Sequence, residues 1–288
     1  MELYYHRGLT RNFGDDLNEW FWDRLLSGFR EWDSTSTLIG IGTLLNEKRL
    51  RKLRDRKLLI VGAGVGYGEG PPNLPLPPNW KIYAVRGPLS SRILGLPDRL
   101  GITDPAVLLS DFPEFRGIPT KGLPIFIPHH GSVNRCDWRL ACRKLGLSYL
   151  SPEAESKKVI RRIAAAPYVV TEAMHGAIIA DTFRVPWVPI KIGTQFNDFK
   201  WQDWMKSLSL KADPISLHPK ISQVAKVFSL PRGKRLQYNC RTALEARFRY
   251  IALKKCMSYD RHLSDCDVLE TKKEALRLVL ERVRKINA

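Results

Sequence analysis

Short apolar runs alternate with helically spaced segments over most of the chain. Glu2 to His6, Thr37 to Ile41, Leu58 to Val61 and Ile82 to Val85 read as short strands, the third of them apolar throughout. Between the first two, Leu17, Trp20, Phe21, Arg24 and Leu25 recur at helical spacing, behind the turn Asn12-Phe13-Gly14-Asp15-Asp16. Asp15 or Asp16 is expected to cap that helix. A charged helix is expected over Glu47 to Leu53, and another from Gly87-Pro88 through Leu94, with proline where a first-turn proline costs little. Leu109 to Pro124 carries Pro113, Gly117, Pro119, Gly122 and Pro124 and reads as a linker. The same grammar then restarts. Strands are expected at Ile125 to Ile127, Tyr168 to Thr171 and Trp187 to Ile190, and helices at Asp137 to Leu145, Ser156 to Ala165 and Glu172 through Phe183. The remainder is expected to be helical, over Ile221 to Phe228, Thr242 to Lys255 and Leu269 to Ile286.

This order predicts an α/β protein of two halves, each a parallel sheet covered by helices, with a cleft between them and carboxyl-terminal helices packed on the body. The boundaries read as 1–118 and 119–240 for the two α/β domains and 241–288 for the helical segment.

Composition narrows the class. With 44% hydrophobic and 26% charged residues, the chain is neither disordered nor fibrous. A formal charge of +18 predicts attraction to polyanions, anionic membranes or phosphorylated small molecules. The basic excess is spread out rather than gathered into a stripe with exposed aromatics, which argues against nucleic acid. The five cysteines (Cys136, Cys142, Cys240, Cys256, Cys266) form no C-x-x-C pair, so neither a zinc ribbon nor a redox dithiol is expected, and the reducing cytosol is the natural compartment. The first residues show no secretion signal, and no stretch approaches the roughly 18 apolar residues of a membrane span.

Candidate chemistry sits at strand ends. Gly62, Gly64, Gly66, Gly68 and Gly70 follow a strand, but their spacing and the proline run Pro71 to Pro78 do not make a dinucleotide fingerprint; a cleft-lining loop is expected. Asn12, Gly14, Asp15 and Asp16 lie at a strand-to-helix junction, where a carboxylate can orient or deprotonate a sugar hydroxyl. Arg86 ends a strand and Ser90 follows in the next helix, a pairing suited to a carboxylate or phosphate, with Asp104 as a cap or as a partner for Arg86. His129 and His130 close a strand and His175 opens a helix, with Glu172 placed to orient it. Zinc is not expected there, because adjacent side chains diverge in an extended segment; acid–base or anion-binding roles fit better. Trp201 and Trp204 are either sugar platforms or packed residues, and the basic tail helix serves docking and a membrane surface equally well.

Taken in order, Asn12-Phe-Gly-Asp15-Asp16-Leu-Asn18, Ala84-Val-Arg86-Gly-Pro-Leu-Ser90, Thr103-Asp104-Pro105-Ala106, Ile127-Pro-His129-His130 and Thr171-Glu-Ala-Met-His175-Gly-Ala-Ile-Ile-Ala-Asp181 resemble the polysaccharide pyruvyl transferase family. Its exopolysaccharide branch of ketal-forming enzymes is the nearer likeness. The resemblance implies two Rossmann-like domains facing a cleft, as in GT-B glycosyltransferases, with the first on the acceptor side and the second on the donor side. It implies transfer of the carbon skeleton of phosphoenolpyruvate to two hydroxyls of one sugar, with a cyclic ketal formed, phosphate released and no further cofactor. On this likeness His175, Arg86 and Asp15 are the catalytic candidates. Asn12, Gly14, Asp16, Ser90, Asp104, His129, His130, Glu172 and Lys191 are substrate-binding candidates. Many members carry arginine where this chain has Ala173, so donor charge is expected to fall on Arg86, His129, His130 or Lys191. The implied partners are phosphoenolpyruvate and a glycan or lipid-linked oligosaccharide at the cytoplasmic face of the cell membrane, with peripheral contact to anionic lipid and a homo-oligomer both compatible with the sequence. A GT-B-like glycosyltransferase using a nucleotide sugar is the alternative.

Overall fold

The computed structural model describes residues 1–66, 70–135, 137–217, 247 and 249–287. The first half is a four-stranded parallel sheet in the order β1 (Glu2–Tyr4), β2 (Ser36–Ile39), β3 (Lys57–Val61), β4 (Trp80–Ala84). Crossing between parallel neighbours are α1 (Phe13–Asp16), α2 (Asn18–Leu25) and α3 (Glu47–Leu50), and α4 (Pro88–Ile93) follows β4. Strands β2 and β3 are buried almost end to end, as apolar strands covered on both faces must be.

The second half is a five-stranded parallel sheet, β5 (Ile125–Ile127), β6 (Ser148–Tyr149), β7 (Val169–Thr171), β8 (Trp187–Lys191) and β9 (Ile215–Ser216), arranged in space as β6-β5-β7-β8-β9. Its helices are α5 (Trp138–Leu145), α6 (Ser156–Ala164), α7 (Met174–Thr182) and α8 (Asp198–Ser207). The chain leaves β5 toward β6 on one side and returns to β7 on the other. The carboxyl ends of β5 and β7 therefore flank a topological switch point, where open parallel sheets leave a crevice for ligands.

The segment expected as a linker, Leu109 to Pro124, buries Leu109, Phe112 and Phe115 and is otherwise exposed or half-buried, and a buried helix leads into it. Pro105–Asp111 is a 3-10 helix with Pro105 to Leu109 buried, packed against α7. Beyond it, Phe112 and Phe115 lie within 6.0 Å of the Trp20 ring. Pro113, Arg116, Gly117 and the stretch 119–123 are exposed. Pro105 suits the first turn of that buried helix, while the linker prolines Pro113 and Pro119 are exposed.

The long carboxyl-terminal helix α9 (Cys266–Asn287) lies on the first half. Arg277 forks onto Asp111 at 2.9 and 3.0 Å, Arg284 donates to the Leu25 carbonyl, and Leu276, Leu280 and Val283 are buried. Residues 249–256 are also helical. The helix expected at Ile221 to Phe228 lies outside the described residues, as does the start of that expected from Thr242. Among the described residues no helix is long and apolar enough to cross a membrane.

Candidate active site

A cleft of about 310 Å³ opens at the switch point and is lined from both halves. His6, Asn12, Asp15, Thr43 and Arg49 come from the first, and His129, His130, Ala173, His175 and Lys200 from the second. A second cavity of about 770 Å³ adjoins it and shares His6, Asn12 and Asp15.

The first wall is set by a cap. Asn12, with extended backbone, accepts the Gly14 N–H through its side-chain oxygen at 3.2 Å. Its amide donates to Asp15 Oδ2 at 2.8 Å, which fixes that carboxylate. The capping residue is thus Asn12, not Asp15 or Asp16 as expected; Asp16 turns to the rim and pairs with Arg11 at 3.0 Å. Asn18, fully buried, accepts from Ile41 N and Trp22 Nε1 and donates to the Asp15 and Ile41 carbonyls, locking the junction to the end of β2.

His175 stands in the first turn of α7, with its side chain 11% exposed. Its Nε2 is turned inward to Asp104 Oδ2 at 3.7 Å, and neither atom has a hydrogen-bond partner. The other Asp104 oxygen accepts the Ala106 N–H at 3.0 Å. Asp104 therefore caps the buried 3-10 helix and faces His175 rather than Arg86. A carboxylate behind a cleft histidine is the arrangement that orients an acid–base imidazole. The Nδ1 edge faces Gly14 so closely that a Cβ at that position would collide with it.

Glu172 does not touch His175. Its Oε2 accepts from His129 N at 3.0 Å, and its Oε1 from Ile192 N and Gly193 N, each at 2.8 Å. One buried carboxylate thus ties together the ends of β5, β7 and β8. His129 and His130 do not diverge as expected, because the backbone enters a 3-10 turn at His130; their rings lie 4.0 Å apart. Burial, helped by His130 and Lys200, pushes the His129 pKa down to about 3, so the ring is neutral near pH 7. Its Nδ1 accepts from Gly131 N at 3.2 Å, leaving the proton on Nε2.

Arg86 is absent from the cleft lining. It is fully buried, donating to Asp203 at 3.3 Å, Thr43 at 2.7 Å and the Val65 carbonyl at 2.7 Å. Asp203, on α8, also accepts from Leu89 N, Ser90 N and Ser90 Oγ. The Arg86–Ser90 pair is thus a socket that receives α8 and holds Thr43 at the cleft edge. Part of the glycine run belongs to this socket. Val65 N donates to Ser90 Oγ, and a Cβ on Gly64 would strike the Arg86 guanidinium. Lys191 pairs with Asp198 at 2.7 Å and is not among the cleft residues. Trp201 and Trp204 are 1% and 0% exposed, stacked among Phe196 and Trp187, so they are core and not sugar platforms. Among the described residues no group of three His, Cys, Asp or Glu side chains is placed to hold a metal ion.

Sequence reading missed Asp203, Asn18, Arg49 and Lys200.

Known proteins are similar to this chain in sequence. The family described as polysaccharide pyruvyl transferase matches residues 12–193. The succinoglycan biosynthesis protein ExoV of Rhizobium meliloti (strain 1021) is 44% identical over 214 residues, which is 74% of this chain and 67% of that protein. The matched segment holds Asn12, Asp15, Asp104, His129, His130 and His175, the residues that the fold gathers around one cleft. The chain belongs to the polysaccharide pyruvyl transferase family.

Proposed function

We propose that the cleft transfers the three-carbon skeleton of phosphoenolpyruvate to two hydroxyls of one sugar in a polysaccharide or lipid-linked oligosaccharide. A cyclic ketal forms and phosphate leaves. The observation that carries this reading is the convergence of His175, backed by Asp104, and Asp15, held by Asn12, from opposite halves onto one cleft.

The chemistry follows from those groups. His175 delivers a proton to the methylene carbon, and Asp15 takes the proton of the first hydroxyl as its oxygen bonds to the adjacent carbon. The phosphate departs with the electrons of its C–O bond, and the second hydroxyl closes the ring. Two hydroxyl protons are lost; one ends on the new methyl group and one on phosphate. His129, neutral and protonated on Nε2, is a fixed donor for developing oxyanion charge, and Arg49 adds positive charge. The adjoining cavity, with Tyr5, Arg7 and Glu19 in its wall, is the acceptor side, because it reaches Asp15 from the first half.

This reading assigns a GT-B-like arrangement, with residues 1–118 serving the acceptor and 119–240 the donor, and the segment 241–288 bracing the body. It places the enzyme in the cytoplasm, with its basic surface toward an anionic membrane that carries the acceptor.

The test is a choice of ligands. Calorimetry should find phosphoenolpyruvate bound and uridine diphosphate not bound at matched concentration. Preference for the nucleotide would replace pyruvyl transfer with glycosyl transfer from a nucleotide sugar.

A further inference from the structure

The cleft takes part of its first wall from α3 and from the segment that leads to it from β2, residues 40–46. That segment is pinned. Gly42 turns it with φ +133°, a conformation other residues rarely adopt, and its carbonyl accepts from Gly64 N at 2.9 Å. Leu45 N donates back to the Gly64 carbonyl at 3.1 Å, and Leu44, Leu45 and Leu50 are buried. Asn46 caps α3 by accepting Arg49 N at 3.0 Å. Two polar side chains of this fixed piece, Thr43 and Arg49, line the cleft.

Both have donors to spare. Thr43 Oγ1 accepts from the buried Arg86 guanidinium at 2.7 Å, so its own proton must point elsewhere. Among the described residues nothing receives that proton. Arg49 is half-buried, and among the described residues its guanidinium has neither a hydrogen bond nor an ion pair. Its acidic neighbour on α3, Glu47, accepts Asn73 N at 3.0 Å and lies 3.8 Å from Arg54. Asp15, across the cleft lining, is held by Asn12. The other lysine or arginine in the lining, Lys200, is 8% exposed and lies under the charges of Asp15 and Glu172. A guanidinium partly withdrawn from water is stabilised when an oxyanion meets it.

We propose that Arg49 and Thr43 form the subsite for the donor's phosphate, so that the first half holds the leaving group. The inference rests on pyruvyl transfer as the function. A guanidinium fork matches two phosphate oxygens, and the Thr43 hydroxyl, polarised by Arg86, supplies a further donor. Phosphate gains charge as its C–O bond breaks, so these contacts strengthen toward the transition state. The half that serves the acceptor thus also grips the donor, with the methylene carbon left to His175 of the opposite half.

The experiment is calorimetric titration of phosphoenolpyruvate, inorganic phosphate and pyruvate into the full-length protein at neutral pH. Arg49→Gln should bind phosphoenolpyruvate and inorganic phosphate about tenfold or more weakly, the scale of a hydrogen bond to a charged group, and pyruvate as wild type does. Arg49→Lys should recover only part of the loss, because an ammonium lacks the fork. Thr43→Ala should weaken phosphate about threefold, and Thr43→Ser should not. Wild-type affinity for phosphoenolpyruvate and phosphate in folded Arg49→Gln overturns the proposal. Weakened pyruvate binding with phosphate unaffected overturns it too, since the carboxylate would then occupy the subsite. Should the alanine variant not fold, the phosphate titration of Arg49→Gln decides. No binding of inorganic phosphate to wild type also overturns the subsite. Phosphate binding that Arg49→Gln loses, without any binding of phosphoenolpyruvate, would support the anion subsite and count against pyruvyl transfer itself.

Discussion

Replacing His175 with alanine should lower turnover by about 100-fold or more, the usual scale for a positioned acid–base group, with the melting temperature little changed. The imidazole is nearly enclosed between two segments of the opposite half. Asp104 lies 3.7 Å behind Nε2, and Gly14 leaves no room for a side chain at the Nδ1 edge. Such a ring has one orientation, which is what proton delivery to a fixed carbon requires. Asp104→Asn should give a smaller loss, because the side chain keeps its cap to Ala106 N but no longer places a carboxylate behind Nε2. Steady-state kinetics with the donor saturating and circular dichroism on each variant make the check. A folded His175→Ala enzyme with near wild-type turnover removes histidine from the mechanism.

Asp203→Ala should be the most destabilising single change near the site. Asp203 accepts from Arg86, from Ser90 Oγ and from the Leu89 and Ser90 N–H groups, with no exposure of its side chain or that of Arg86. Removing it strands a buried guanidinium and the open turn of α4, a loss of about 3–5 kcal/mol, which corresponds to a fall of about 10 °C in melting temperature for a protein of this size. Arg86→Lys should destabilise less but measurably, since one ammonium cannot serve Thr43, Val65 and Asp203 in the plane that the guanidinium spans. Thermal melts of both variants test this. If Arg86→Lys leaves the melt unchanged while weakening donor use, the guanidinium reaches the donor after all.

What could be read from the sequence was local. Apolar runs such as Leu58 to Val61 announced buried parallel strands, and the strand–polar–His–Gly order around Thr171 to Gly176 placed a histidine at a helix start. The gathering of Asn12, Asp15, His129 and His175 was expected only as a consequence of two halves meeting. Non-local partnerships left no periodic trace. Asp203 reaches Ser90 across 113 positions, and nothing about an aspartate between two tryptophans marks it as the partner of a strand-end arginine. For the same reason Arg86 read as a ligand fork, when its geometry is that of a socket. The close approach of the His129 and His130 rings was hidden because the backbone leaves the extended form between them, a turn held by Glu172 on His129 N and by the Gly131 N–H on His129 Nδ1. Lys200 carried a charge among many in a chain of +18, and only burial singled it out.

The central claim is that one cleft, built from both halves, makes a pyruvate ketal. Its most direct test is incubation of the purified protein with phosphoenolpyruvate and the lipid-linked repeat unit of the host polysaccharide, with the glycan mass and free phosphate read together. The account predicts one phosphate released for each glycan that gains a pyruvate less one water, and near loss of both signals in the folded His175→Ala variant. Phosphate release without glycan mass gain, or a mass gain equal to a whole hexose from a nucleotide sugar, would contradict it.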